Sequence, residues 1–174
     1  MKKNSLMIII MAICLVFVFV MTKKNTDTSN TCQVEPQAAF GQSRSPQWVE
    51  YNGPATAQAI AKFSLEHPDE INGYSDKKYY VFTGQIYEIH YMSGDEEMVR
   101  LAKGKMCGND VYDITQDYRS KNTVTIDGID VIEYGDGESV SIATWIDGEY
   151  SYFIGCWNSP LSTSEIEKLV KIVK

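Results

Sequence analysis

The side chains that could carry out nucleophilic or acid–base chemistry in this sequence are its two histidines and two of its four cysteines, Cys107 and Cys156. His67 stands beside a proline, and His90 lies within an alternating segment next to Glu88. A hydrolytic site needs a nucleophile, a base and an orienting group. Cys107 or Cys156 together with His90 would supply the first two, so one hypothesis is a hydrolase built on a Cys–His pair.

The same two cysteines also fit a disulfide. The apolar N-terminal segment described below predicts export, and in an oxidising compartment outside the cell a pair of cysteines usually forms a disulfide bond. The sequence therefore predicts a Cys107–Cys156 disulfide that pins the irregular stretch containing Cys107. Two thiols at these positions under non-reducing conditions would contradict it.

Metal and cofactor motifs are not recognisable. The stretches Asp127–Asp130 and Asp136–Glu138 resemble calcium loops in composition only, because Ile129 stands at the third position of an EF-hand loop and Ile132 at the required glycine. There is no CxxC pair for zinc and no glycine-rich nucleotide motif. We therefore predict Asp–Gly turns, no metal and no cofactor.

Tyrosine is the unusual residue type, with eleven in the chain. Tyrosines that pack on both faces of a sheet would explain them, since the rings bury a large area. The alternative is an aromatic surface for a peptide, a glycan or a hydrophobic ligand. The candidate binding aromatics are Tyr79, Tyr80, Tyr87, Tyr91, Tyr150 and Tyr152.

The N-terminal segment predicts export. Leu6–Met21 is apolar and uncharged and follows Lys2 and Lys3, which is the layout of a signal peptide or a signal anchor. Small residues for cleavage are missing at its end, which favours an uncleaved anchor at residues 1–22. The remainder of the chain would then lie outside a cell membrane that it crosses once, or be secreted if the segment is cleaved.

Residues 23–47 are polar and poor in β-branched residues, which is typical of a flexible stalk. Cys32 in this stalk is a free thiol, an intermolecular partner or an incidental residue. Residues 48–174 contain 21 acidic and 11 basic residues, a formal net charge of −10. This charge disfavours nucleic acid. The expected partners are the membrane, through the N-terminal segment, and an envelope protein, a peptide or a glycan.

Local patterns predict two helices and a series of strands. Residues 54–67 begin with Pro54 and place alanines on one face, as in a short helix that packs on a sheet. Strand signals then follow in series, and the stretch from Gly104 to Ser120 has no clean period. The predicted strands here are Lys77–Thr83, Gln85–Met92 and Glu97–Lys103.

Two hairpins complete the predicted sheet. Thr123–Tyr134 folds about an Asp–Gly turn that places Ile126 opposite Ile129. The final hairpin folds about a second Asp–Gly pair, which places Ile142 opposite Phe153, and both of its faces carry apolar side chains. It should therefore be central and covered on both sides. Ser162–Glu165 then forms a capping box that starts a closing helix.

These elements predict an α+β fold. Strands joined by short turns can pair only antiparallel. We expect residues 48–174 to form a single domain with a curved antiparallel sheet of about six or seven strands, with an N-terminal helix and a C-terminal helix packed on it.

Several segments carry a resemblance to a known family. They are WVEY at 48–51, IYEIHYMSGDEEMVRLAKG at 86–104, CGND at 107–110, ATWIDGEYSYFIG at 143–155 and LSTSEIEKLV at 161–170. Together they resemble exported domains of Gram-positive gut bacteria that are similar to the family called domain of unknown function 4367. The resemblance implies a fold and an extracytoplasmic location but no activity. With only Met1–Ser5 ahead of the apolar run, we expect no cytoplasmic regulatory module.

Two functional hypotheses follow. The first is a membrane-tethered extracytoplasmic binding or sensory module without catalytic activity, whose ligand would lie in a tyrosine-lined groove. The second is an envelope hydrolase that uses Cys107 or Cys156 with His90.

Overall fold

An eight-stranded antiparallel sheet is the framework of this protein. The computed structural model describes residues 48–82, 85–105, 114 and 116–174. The strand order across the sheet is β1-β2-β3-β4-β8-β7-β6-β5. The strands are β1 (Trp48–Tyr51), β2 (Asp76–Phe82), β3 (Ile86–Ser93), β4 (Glu96–Lys105), β5 (Ser120–Ile126), β6 (Ile129–Gly135), β7 (Val140–Asp147) and β8 (Tyr150–Gly155).

The α+β class and the antiparallel sheet are confirmed, whereas the predicted count of six or seven strands is wrong. The additional strand is β1, whose four residues pair with β2 from Trp48 opposite Phe82 to Tyr51 opposite Tyr79. Four residues are too few to show a strand period. Pairing with a longer neighbour establishes this strand.

Two helices accompany the sheet in the described part of the chain. Helix α1 spans Pro54–Ala61, and its last turn is closed by Lys62 in the left-handed conformation, so it ends before the predicted limit at residue 67. Helix α2 spans Thr163–Ile172. Its capping box is confirmed, because the Ser162 side chain accepts from the Glu165 amide and the Glu165 carboxylate accepts from the Ser162 amide. No helix among the described residues is long and apolar enough to cross a membrane.

The turns of the β5–β6 and β7–β8 hairpins explain why the predicted strand register is correct in the first hairpin and wrong in the second. Asp127 and Gly128 both have positive φ, as a type I′ turn requires, and Ile126 pairs with Ile129 as predicted. In the final hairpin only Gly148 is positive, and Asp147 remains in the strand opposite Tyr150. The loop is therefore one residue later than the sequence suggests.

This difference moves the register of the final hairpin by two residues. Ile142 lies opposite Gly155, and Phe153 lies opposite Thr144, so the predicted Ile142–Phe153 pair is wrong. A shift of two leaves every side chain on its expected face. Strands β7 and β8 are central in the sheet and largely buried, as predicted.

The two faces of the sheet have different environments. One face, here called the helix-covered face, packs Tyr87, Ile89 and Leu101 against α1 and α2. The opposite face, here called the second face, has a smaller apolar cluster of buried side chains with rings packed around it. That cluster contains Phe82, Ile86, Ala102, Ile142 and Phe153.

Candidate functional site

A buried group of charged side chains lies on the second face, and we call it the ionic cluster. Its members are Glu88 and His90 of β3 and Glu97 and Arg100 of β4. Glu88 is 0% exposed, His90 3% and Arg100 6%. His90 and Arg100 are directly paired across the β3–β4 hairpin, and Glu88 shares their face because side chains alternate along a strand.

Hydrogen bonds join all four members. His90 Nε2 lies 2.7 Å from Glu88 Oε2, and His90 Nδ1 lies 3.0 Å from Glu97 Oε2. Arg100 contacts Glu97 through both Nε (2.6 Å) and Nη2 (2.9 Å), and its Nη1 is 3.8 Å from Glu88 Oε1. A carboxylate oxygen therefore lies within hydrogen-bond distance of each ring nitrogen of His90. The Glu97 carboxylate joins this ring to the Arg100 guanidinium.

A β-bulge brings Glu97 into the cluster. Regular alternation would place Glu97 on the opposite face from Arg100, but the pairing shifts after Tyr91, so Met92 pairs with Glu97 and Met98 is the additional residue. Met98 packs toward the helix-covered core instead. Bulges re-aim side chains in this way. The sequence placed His90 beside Glu88 but gave no signal for Glu97 and Arg100, because neither the bulge nor the register is visible in it.

Aromatic rings border the ionic cluster. The Tyr80 ring centroid lies 4.7 Å from that of His90, and the Tyr80 hydroxyl donates to Glu50 at 2.9 Å. On the other side the Arg100 guanidinium lies 5.4 Å from the Trp157 ring centroid. The Trp157 ring passes over Gly155, where a Cβ would be 2.2 Å from it. The rings therefore restrict the approach of water to the charges.

The geometry of the ionic cluster fits a role in stabilising the fold better than a role in hydrolysis. Both nitrogens of His90 lie within hydrogen-bond distance of carboxylates, so neither is directed at a nucleophile. Cys156 lies in the helix-covered core, across the sheet from His90. Burial raises the pKa of the Cys156 thiol to about 12. Cys156 and His90 therefore do not form a catalytic pair in this structure.

Acid should weaken the fold through Glu97. Burial by itself would raise the pKa of Glu97, but hydrogen bonds and charges from His90 and Arg100 lower it from 4.5 to about 2. A carboxyl with a lowered folded pKa stabilises the protein above its unfolded pKa and loses that effect as the pH falls through the folded value. We expect the Glu97 contribution, on the order of 3 kcal/mol, to be lost between pH 4.5 and about 2.

Urea unfolding of the chain and of Glu97→Gln over this pH range checks the expectation. The variant should start with a lower free energy of unfolding and show a flatter decline toward pH 2. Glu149→Gln, at an exposed turn position, is the matched control and should follow the parent. Equal pH profiles for Glu97→Gln and the parent would contradict the assignment.

Of the cysteines named in the predictions, Cys156 alone lies within the described residues. Cys156 is a buried thiol whose Sγ lies 3.0 Å from the carbonyl oxygen of Val140. Cys107 and Cys32 lie outside the described residues, as do residues 1–47. The Cys107–Cys156 disulfide, the anchor at 1–22 and the stalk at 23–47 stay predictions.

The six candidate binding tyrosines do not share one surface. Tyr87 and Tyr91 are 0% exposed and Tyr152 is 4% exposed, all on the helix-covered face. Tyr79 and Tyr150 are partly buried and pack against the same core. Tyr80 is on the second face, opposite Glu88. A tyrosine-lined groove formed by all six is therefore absent from this structure.

Tyr150 and Tyr152 have a partner inside the protein. Lys103 Nζ lies 4.4 Å from the Tyr150 ring centroid, 5.3 Å from that of Tyr152 and 5.8 Å from that of Phe63, and it donates to the Ser64 carbonyl at 2.9 Å. Burial lowers the pKa of Lys103, against the opposing charges of Glu66 and Asp147. These rings therefore surround a buried ammonium group.

His67 is also engaged in the fold. Its Nδ1 lies 3.2 Å from the Tyr91 hydroxyl, which donates to the Pro68 carbonyl. This contact closes the connection after α1 over the sheet. His67 thus lies on the opposite side of the sheet from the ionic cluster.

A surface groove of about 200 Å³ runs along α2, and we call it the α2 groove. Its apolar lining includes Ile172, which is 42% exposed. Charged side chains stand among the apolar ones. The lining residues are Pro68, Glu70, Ile71, Asn72, Leu161, Glu165, Lys168, Leu169 and Ile172. None of the six candidate tyrosines lines it.

The Asp–Gly stretches are turns in this structure. Asp136 Oδ1 accepts hydrogen bonds from the amides of Glu138 and Ser139 at 2.9 and 2.8 Å, which is the chemistry of an Asx turn. Within the described residues, no group of three or more His, Cys, Asp or Glu side chains could hold a metal ion.

Comparison of the chain with models of protein families, with curated proteins and with solved structures finds no match. The resemblance to the domain of unknown function 4367 stays a prediction from the quoted segments.

Proposed function

We propose that this chain is a membrane-tethered, extracytoplasmic binding or sensory module without catalytic activity of its own. The observation that carries the proposal is the α2 groove, a largely apolar depression with charged residues in its lining. The apolar segment Leu6–Met21 supports the tethered location. Concave, mostly apolar surface sites with a few polar groups are where proteins usually bind their ligands.

The size of the groove limits its ligand. Sites for drug-sized molecules usually enclose roughly 300–1,000 Å³. The α2 groove has about 200 Å³, which suits one or two apolar side chains of a larger partner. The domain's formal charge of −10 favours a cationic partner. The ligand we propose is a basic segment of an envelope protein that inserts an apolar side chain beside Ile172.

The alternative envelope hydrolase has less support. Its Cys156–His90 version conflicts with the positions of the two residues on opposite faces of the sheet. Its Cys107–His90 version depends on a residue outside the described ranges. Both ring nitrogens of His90 contact carboxylates whichever cysteine is considered.

Photo-crosslinking in intact cells tests the groove. A photoreactive phenylalanine at position 172 should give a discrete protein adduct, and added salt should lower its yield because screening weakens a charged encounter. Position 146 is the matched control, since Ile146 is 44% exposed but does not line the groove. Adducts that are identical at 172 and 146, or found only with lipid, would contradict the proposal.

A second variant checks that binding depends on the apolar lining. Ile172→Glu places a charge in the groove at an already exposed position, so the fold should be retained. For this variant the photoreactive group is placed at position 168. The yield of the protein adduct should fall at least about tenfold, which corresponds to a loss of roughly 1.4 kcal/mol of binding free energy. Ile146→Glu should leave the adduct unchanged.

A further inference from the structure

Glu133 is a buried carboxyl group with an unsatisfied oxygen. It lies on β6 and is 4% exposed, and its Oε1 has no hydrogen-bond partner among the described residues. Its Oε2 has one distant donor, the Thr163 hydroxyl at 3.4 Å, which belongs to the first residue of α2. A buried carboxylate oxygen without a donor or a cation is costly.

A small polar cavity of about 30 Å³ adjoins this carboxyl. That volume accommodates a single small ion or water, since a water needs roughly 10–15 Å³ on this scale. The cavity lies where the start of β5, the β6–β7 turn and the start of α2 meet. Its lining includes the oxygen-bearing side chains of Ser120, Asn122, Glu133, Glu138, Ser139 and Thr163.

We propose that this cavity is a calcium site, with Glu133 as its central ligand. Carboxylate, hydroxyl and amide oxygens are the ligands that hard cations prefer, and calcium takes six to eight of them in flexible geometry. No histidine or cysteine among the described residues lines the cavity, which argues against zinc or copper. Two carboxylates, from Glu133 and Glu138, would neutralise the divalent charge.

Strand pairing places several of these oxygens on one side. Asn122 lies directly opposite Glu133, and Ser120 lies opposite Gly135. The Asn122 amide nitrogen donates to the Ser120 hydroxyl at 2.9 Å, which leaves the Asn122 carbonyl oxygen as the group able to coordinate a cation. The arrangement is thus partly preorganised by the sheet.

The N-terminus of α2 carries a partial positive charge from the helix dipole, which would repel a cation in the cavity. A carboxylate of the same helix offsets this charge. Glu165 Oε2 accepts from both the amide (2.8 Å) and the hydroxyl (2.6 Å) of Ser162 at the helix start. Burial raises the pKa of Glu133, with the Thr163 hydrogen bond acting against the rise. A bound cation would favour the ionised form.

Calorimetric titration of the full chain in detergent, first stripped with a chelator, tests the site. Extracellular calcium modules bind with dissociation constants on the order of 10⁻⁴–10⁻³ M, and we expect a value in this range. Bound calcium should also raise the thermal unfolding midpoint as its concentration increases. Magnesium should act more weakly, because it demands near-ideal octahedral geometry.

Glu133→Gln should weaken calcium binding at least roughly tenfold, since even changes outside the first coordination shell cost 10- to 100-fold. Glu138→Gln, at an exposed position, should also weaken it and provides a second test if Glu133→Gln does not fold. Glu149→Gln is the control and should bind as the parent does. No calcium response in the parent, an equal magnesium response, or an unchanged response in both Glu133→Gln and Glu138→Gln would overturn the proposal.

Discussion

Replacing Arg100 by methionine should lower the free energy of unfolding by about 3–5 kcal/mol. Arg100 donates two hydrogen bonds to Glu97 and lies near Glu88, and its side chain is almost fully buried. Its removal leaves the buried carboxylates of Glu88 and Glu97 without the guanidinium group that contacts both. Chemical denaturation of the full chain in detergent, followed by circular dichroism, measures the loss.

Arg119→Met is the matched control for this substitution. Arg119 is exposed, so its loss should change the free energy of unfolding by less than about 0.5 kcal/mol. Adding Glu97→Gln to Arg100→Met should cost much less than adding it to the parent, because both changes break the same hydrogen bonds. Additive effects, or similar losses for Arg100→Met and Arg119→Met, would mean that the four side chains do not act as a unit.

Gly135→Ala should destabilise the protein by about 3 kcal/mol or more. A Cβ at Gly135 would lie 1.9 Å from the Ser139 carbonyl oxygen, and backbone cannot move aside as a side-chain end can. The β6–β7 turn would have to open, and with it the hydrogen bond from the Asp136 amide to that same carbonyl. Thermal and urea unfolding report the effect.

Gly137→Ala separates crowding from backbone strain. Gly137 lies in the same turn at φ 100°, and no atom of the described residues lies within 4 Å of its Cβ position. Its substitution should cost roughly 1–2 kcal/mol through the left-handed conformation alone. Equal costs for Gly135→Ala and Gly137→Ala would show that contact with Ser139 is not the determining factor.

Much of the architecture is readable from local sequence. The Asp127-Gly128 turn predicts its hairpin correctly because both residues tolerate positive φ and the flanking apolar positions alternate. The capping box at Ser162 is equally local. By contrast, the Asp147-Gly148 pair led to a wrong register for the β7–β8 hairpin. In the structure Asp147 is the last residue of β7, and Gly148 is the first residue of the loop.

The candidate sites were less predictable than the fold. His90 and Glu88 share a strand, so alternation places them together, but Glu97 joins them only through the bulge at Met98. For the tyrosines, the sequence left packing within the sheet and an aromatic binding surface as alternatives, because a sequence does not show burial. The α2 groove and the Glu133 cavity each combine residues from distant segments, so no local motif marks them.

The sequence by itself determined the class of fold, the final hairpin's central position and the helix that closes the chain. Periodicity, turn chemistry and caps are local, and they act over a few residues. The tertiary structure alone decided which polar side chains meet. It separated Cys156 from His90 by placing them on opposite faces, and it joined His90 to Arg100 across a hairpin. Such meetings depend on register, bulges and packing between distant segments, which no short stretch of sequence encodes.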